Sequence, residues 1–223
     1  MKKSTLILLV MACLFQAGCS LAPAAANRSY KAFEIHDYNE SLRLATLALI
    51  KYEYAKEDMA NLFLLKAESY LQLKKIAYAA GVLDYVINEF PSTEAAYKAS
   101  SLLKSSEVLK SFKGHSYEEL YAKTQAQVLT KAGFEYMLKV VSDENNKQYI
   151  QDLYTQCHVL EEGSGFTPSK IVMEILSNGE VGSLTVNERD AFVDCFVVGL
   201  KKMTYPTPPF NPSYLLFTLK KKE

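Results

Sequence analysis

KIVMEILSNGEVGSLTV, residues 170–186, is the stretch on which the reading of the fold turns. Residues 170–176 are apolar and β-branched and suit a strand. Asn178-Gly179 comes next, the strongest short hairpin signal, because a type I′ turn needs φ > 0 at both central positions. Residues 181–186 then give the returning strand. Downstream, Asn187 is placed to cap a helix over 188–203, whose residues Phe192, Cys195, Phe196, Gly199 and Met203 recur at helical spacing. Residues 205–212 hold four prolines and cannot be a helix interior, so 214–219 reads as a last strand. Upstream, 143–160 reads as a helix with Ile150, Leu153, Cys157 and Leu160 on one face, and 163–168 as a loop. The order helix, strand, strand, helix, strand predicts a small α+β unit over 143–223, with helices packed on an antiparallel sheet.

Residues 27–112 have a different pattern. Apolar side chains recur every three or four positions, and the stretch contains one proline, Pro91, and one glycine, Gly81. Read from Ala60, it resembles a tetratricopeptide repeat, a helix-turn-helix unit of about 34 residues. Ala67 and Ala79 fill the small positions where two helices approach, and Tyr70 fills the aromatic one. Leu83 and Val86 follow on the second helix, which Pro91 stops. Lys66 stands where the family usually has Leu. Tyr38, Ser41, Ala45 and Ala48 form an earlier, degenerate copy. A partial copy follows Pro91, with Ser92 as N-cap and one long helix to about residue 112. The alternative is a helical bundle without repeats. Residues 113–142 read as a helical linker, interrupted at Gly133. The expected fold class is therefore α+β in two domains.

The N-terminus has the anatomy of an export signal. Lys2 and Lys3 precede an apolar run over 6–15, too short for an ordinary membrane-spanning helix. Gln16-Ala17-Gly18-Cys19-Ser20 resembles the lipobox of bacterial lipoproteins, with Gln16 where Leu is usual. The resemblance implies a signal peptide over 1–18, a lipid on Cys19 and a small-residue tether over 19–26. Ser20, in place of an aspartate, favours the outer membrane. Cleavage at Ala24-Ala25-Ala26 would instead leave a soluble periplasmic protein. The whole chain has 25 basic and 25 acidic residues, and loss of Lys2 and Lys3 tips the remainder slightly negative. That balance gives no electrostatic reason to expect nucleic acid.

CHVLEEGSGFTPSKIVMEILSNGEVGSLTVNERDAFVDCFVVGLKKMTYPTPP, followed by YLLFTL at 214–219, resembles the TonB C-terminal-like domain of gliding-motility and energy-transduction-related proteins. The matching features come in order: Cys157 ending a helix, a strand, the Asn178-Gly179 hairpin, Cys195 in mid-helix, Tyr205-Pro206-Thr207-Pro208, and the final strand. The resemblance implies a binding domain. Energy transduction is the weakest implication, because a TonB keeps a membrane-embedded N-terminal helix and a long proline-rich spacer, and neither pattern is present.

Of the four cysteines, Cys13 leaves with the signal and Cys19 takes lipid. Cys157 and Cys195 remain as an even pair in an oxidising compartment, each on the apolar face of its helix, and are expected to form a structural disulfide. They lack the C-x-x-C spacing of a redox or metal pair. Cys157-His158 is a poor nucleophile pair, since adjacent helical residues point about 100° apart. Glu161-Glu162 reads as a helix end. No phosphate loop, nucleophile elbow or metal motif is present, so no enzyme, cofactor or metal is expected. The expected function is a protein-protein interaction scaffold on the periplasmic face of the outer membrane, with envelope proteins or peptides as partners. An outer-membrane-protein assembly factor binding client peptides is the alternative. Asn61, Leu64, Glu68, Leu71 and Gln72 would line the repeat groove, or be ordinary surface in an array too short to form one. The last strand, as a sheet edge, could take a partner peptide by strand addition.

Overall fold

The computed structural model describes residues 21–105, 108, 110, 113–158 and 168–219. Their helices are α1 (Leu21–Glu34), α2 (Tyr38–Lys51), α3 (Lys56–Gln72), α4 (Ile76–Glu89), α5 (Glu94–Leu103), α6 (Tyr117–Val128), α7 (Lys131–Ser142), α8 (Glu144–His158) and α9 (Ala191–Leu200). The strands are β1 (Ser169–Ile175), β2 (Val181–Val186) and β3 (Ser213–Leu219). The architecture is α+β: mostly helical, with one antiparallel sheet in the order β2-β1-β3.

The first helices stack as hairpins, α1 on α2, α2 on α3 and α3 on α4, with α3 also meeting α5. Ala45, Ala48, Ala60, Ala67, Ala79 and Ala80 are fully buried, so the helices close on one another through small side chains, with Phe63, Leu62 and Leu83 filling the space between. The turns after α1 and α3 are built alike. His36 and Lys74 both take a left-handed conformation, at φ 64° and 60°. In each turn the next amide reaches back to close the helix end, Asp37 N to Ala32 O and Lys75 N to Tyr70 O, both at 2.9 Å. Those two residues lie 38 positions apart, as do the first residues of α2 and α4.

Local chemistry moves several boundaries. The tether expected over 19–26 is helical from Leu21, because Ala24, Ala25 and Ala26 are the strongest helix formers and Pro23 is tolerated in a first turn. Thr93, not Ser92, caps α5, accepting from Ala96 N at 3.1 Å. That helix stops at Leu103 amid serines that compete for backbone hydrogen bonds. Asp190, not Asn187, caps α9, accepting from Val193 N at 2.7 Å. Asn187 instead accepts from Lys170 N at 2.6 Å and secures the end of the β1–β2 ladder. The hairpin is not type I′: only Gly179 has positive φ, at 84°, and Gly179 N donates to Leu176 O at 2.8 Å. This is a three-residue loop ending in a left-handed glycine. The glycine is required twice over, since a Cβ there would stand 2.1 Å from Tyr205 O.

Residues 113–142 hold α6 and α7. The α6 N-terminus carries a capping box of Ser116 and Glu119. Glu119 is fully buried and accepts from Lys113 N at 2.8 Å and Ser116 N at 3.1 Å. One side of α6 packs on α4, where Gly81 permits close approach. Another side covers the sheet, with Tyr121 under the Lys170 ammonium at 5.2 Å. The opposite face of the sheet, Ile171, Met173, Ile175, Leu215 and Leu219, joins Phe192, Phe196, Leu200 and Leu153 in a second core. The sheet thus has helices on both faces. The chain breaks between α6 and α7 at Leu129-Thr130, where Thr130 caps α7 by accepting from Gly133 N at 3.1 Å.

Cys157 and Cys195 join α8 to α9, with an S–S distance of 1.98 Å and Cα atoms 5.7 Å apart. Among the described residues, no helix is long and apolar enough to cross a membrane. Cys19 and the signal segment over 1–18 lie outside the described residues, as do Leu160 and Glu161-Glu162.

Candidate functional site

The odd-numbered residues of β3 bond to β1, through the pairs Ile171↔Phe217, Met173↔Leu215 and Ile175↔Ser213. Alternation turns the amides and carbonyls of Tyr214, Leu216 and Thr218 away from the sheet. Gln127 uses the first of these, its Oε1 accepting from Tyr214 N at 2.8 Å while its Nε2 donates to Pro212 O at 3.0 Å. No further strand pairs with β3 among the described residues, so Leu216 and Thr218 present a free edge.

Apolar walls flank that edge. A cavity of about 270 Å³ lies between Val128 of α6, Met137 and Val140 of α7, and Leu216 of β3. A second, of about 530 Å³, continues from Val140, Val141 and Phe217 to Ile150 and Tyr154 of α8. The Tyr154 hydroxyl is buried and has no hydrogen-bond partner among the described residues. Its ring packs edge-on against Phe192 at 5.3 Å and stacks on His158 at 5.8 Å. Along α7, Phe134, Leu138 and Val141 are 47%, 45% and 54% exposed. They are spaced as one helical stripe, whereas Gly133, Tyr136 and Val140 face inward. Surface apolar residues are ordinary when single and informative when contiguous.

The residues expected to line a repeat groove are spread more widely. Leu64 is buried in the array core, and Leu71 packs against it half-buried. Asn61 and Glu68 are half-buried, and Gln72 is exposed. Burial raises the Glu68 carboxyl pKa, while Lys98 of α5 opposes the shift. Glu68 also acts on Tyr30 of α1, whose phenol pKa is raised by burial first and by Asp58 and Glu68 after it. These three helices therefore share one layer around Glu68.

A large desolvation effect on a cation lies elsewhere, at a residue the spacing argument marked only as a departure. Lys66 is 6% exposed and its Nζ donates to the Thr46 hydroxyl, with no carboxylate paired to it among the described residues. Desolvation lowers its pKa to about 8. Among the described residues, no three of His, Cys, Asp and Glu cluster as metal ligands. The Phe134, Leu138 and Val141 stripe was missed in the sequence because Gly133 masked the start of α7. Its i, i+4, i+7 spacing was the available signal.

Compared with models of known protein families, with curated proteins and with solved structures, the chain matches none of them.

Proposed function

We propose that the chain is a bacterial envelope lipoprotein, anchored through Cys19 at the periplasmic face of the outer membrane, that works as a protein-protein interaction scaffold. In this reading residues 27–112 are a tetratricopeptide-like array, 113–142 connect it to the sheet, and 143–223 are a TonB C-terminal-like binding domain. The observation that carries the binding role is the free β3 edge at Leu216 and Thr218, set in an apolar trough. Its partner is an extended segment of another envelope protein, bearing apolar side chains at alternate positions. Backbone pairing supplies affinity, and the two cavities supply specificity.

Leu216→Pro tests this directly. The Leu216 amide points away from β1, so proline removes the docking donor and leaves the β1–β3 ladder intact. A photo-cross-linker at Val141 in the membrane-anchored protein should capture a partner through an extended segment. Leu216→Pro should abolish that capture with no change in melting temperature. Capture that survives Leu216→Pro, or that maps to a helical segment, overturns the edge as the binding surface. Labelling with a fatty-acid analogue tests the anchor: it should mark the wild type and not Cys19→Ser.

A further inference from the structure

The hairpins of the array bring several elements to one end of it. α1 and α2 each have 14 residues and are joined by the tight turn at His36, so Leu21 lies level with Lys51. The loop over 52–55 follows at that end and leads into α3. α5 begins there as well, because Glu94 N donates to Glu57 Oε1 at 3.1 Å. So does α7, because Lys131 Nζ lies 3.2 Å from Glu53 Oε1. This end is the base of the array. Ile35, in the turn after α1, marks the opposite end, about 20 Å away along the helix axis.

The base presents apolar side chains. Ile50 is 64% exposed and Phe134 is 47% exposed. Beside them the loop supplies Tyr52 and Tyr54, half-buried, with their rings edge-on at 6.4 Å. Tyr54 packs on the array core and fixes the loop. A tyrosine has an apolar ring and a polar tip, and so suits a boundary between hydrocarbon and water. The charges around the patch balance: Lys51, Lys56 and Lys131 stand against Glu53, Glu57 and Asp58, all exposed. A partner for this end is therefore recognised by apolar contact rather than by charge.

The chain leading into the base says what that partner is. One residue, Ser20, separates Cys19 from Leu21, and two residue steps span at most about 7 Å. A lipid on Cys19 therefore brings the bilayer surface against the base. We propose that the base is a lipid-contact surface, with Ile50, Tyr52 and Phe134 entering the headgroup region beside the anchor, an inference that rests on the lipidation of Cys19. Burial of these side chains adds a second attachment to that of the lipid chains and sets the tilt of the body.

The test uses the full, lipidated protein in vesicles of phosphatidylethanolamine and phosphatidylglycerol brominated on the upper acyl chain. The chain has no tryptophan, so one indole reports its own position. Ile50→Trp and Phe134→Trp should be quenched several-fold more strongly than Ile35→Trp, equally at low and high salt. Ile50→Glu, made in the Phe134→Trp protein, separates a surface that enters lipid from one merely held near it. It changes an exposed residue, and it should reduce the quenching of Phe134→Trp toward that of Ile35→Trp. Failure of the protein to float with the vesicles would sink the anchor, and this contact with it. Flotation with equal quenching at all three positions, or quenching of Phe134→Trp that is unchanged by Ile50→Glu, would leave the anchor standing and overturn the contact alone.

Discussion

At the α4–α6 crossing, a Cβ on Gly81 would stand 2.3 Å from the Glu119 carbonyl oxygen and 2.9 Å from its Cα. At the α8–α9 crossing, a Cβ on Gly199 would stand 2.2 Å from a methyl of Leu153. Both glycines let two helices approach, but the obstacle differs in kind. Near Gly81 it is backbone, fixed by a capping box whose glutamate is fully buried. Near Gly199 it is the end of a side chain that can change rotamer, and a disulfide holds the two helices together whatever the side chain does. The array-to-sheet seam is thus held without a covalent link among the described residues, by packing, hydrogen bonds and the Lys123–Asp84 ion pair. The crossing on the sheet's other face has a covalent staple and tolerates looser packing.

The largest expected effect comes from cutting the staple. Cys157→Ser opens a loop spanning a sequence separation of 38. On the loop-entropy account it should cost about 4 kcal/mol. Denaturant melts followed by hydrogen exchange should show the loss in α8, α9 and the strands, with α1–α5 still protected. A cost below about 1 kcal/mol would mean that the second core holds the crossing without its disulfide.

The array has the opposite liability in Lys66. Its folded pKa, about 8, lies below the 10.5 of the free side chain, so the folded state binds the proton less well. The penalty is fully present below pH 8, is relieved as pH rises from 8 to 10.5, and is gone above that. Lys66→Met keeps the apolar stem and should stabilise the protein by up to about 3 kcal/mol near neutral pH. The rise in stability with pH across that window should vanish in the variant. An unchanged pH profile would show that the ammonium reaches water.

The two glycines give the smallest and sharpest contrast. Gly81→Ala should cost about 2–3 kcal/mol, because backbone must move. Gly199→Ala should cost about 1 kcal/mol or less, because Leu153 can turn aside. Urea midpoints of the two variants decide it. Equal losses would show that α8 and α9 are locked as firmly as α4 and α6.

The sequence was most informative where a residue type has one dominant use. Cys157 and Cys195 fell in phase with apolar neighbours, and the structure brings them to bonding distance. Asn178-Gly179 located the hairpin, yet the turn type was missed, because Tyr205 N donates to Gly179 O and docks the proline segment on the loop. Asn187 and Ser92 looked like caps because their side chains can cap. Which of several neighbouring acceptors meets the first free amide depends on backbone angles that composition does not encode. The double duty of α6 was hidden for a different reason. Leu120, Ala122, Ala126 and Gln127 are all buried, so the helix has no single apolar stripe to read, and its periodicity is that of an element packed on more than one side. The β3 trough was half legible: a last strand with a possible free edge could be read, but the α7 wall beside it could not.

The first helix has a mechanical consequence. α1 begins at Leu21, two positions after Cys19. Six extended residues over 21–26 would have supplied a leash of about 20 Å, letting the body drift and tumble above a bilayer. Coiled into helix, the same six rise only about 9 Å, and Ala25 and Ala26 are packed into the array. A lipid at Cys19 would therefore hold the array more like a post set in a floor than a float on a line. Every surface further along the chain, the β3 edge included, would then keep a nearly fixed height and bearing relative to the membrane.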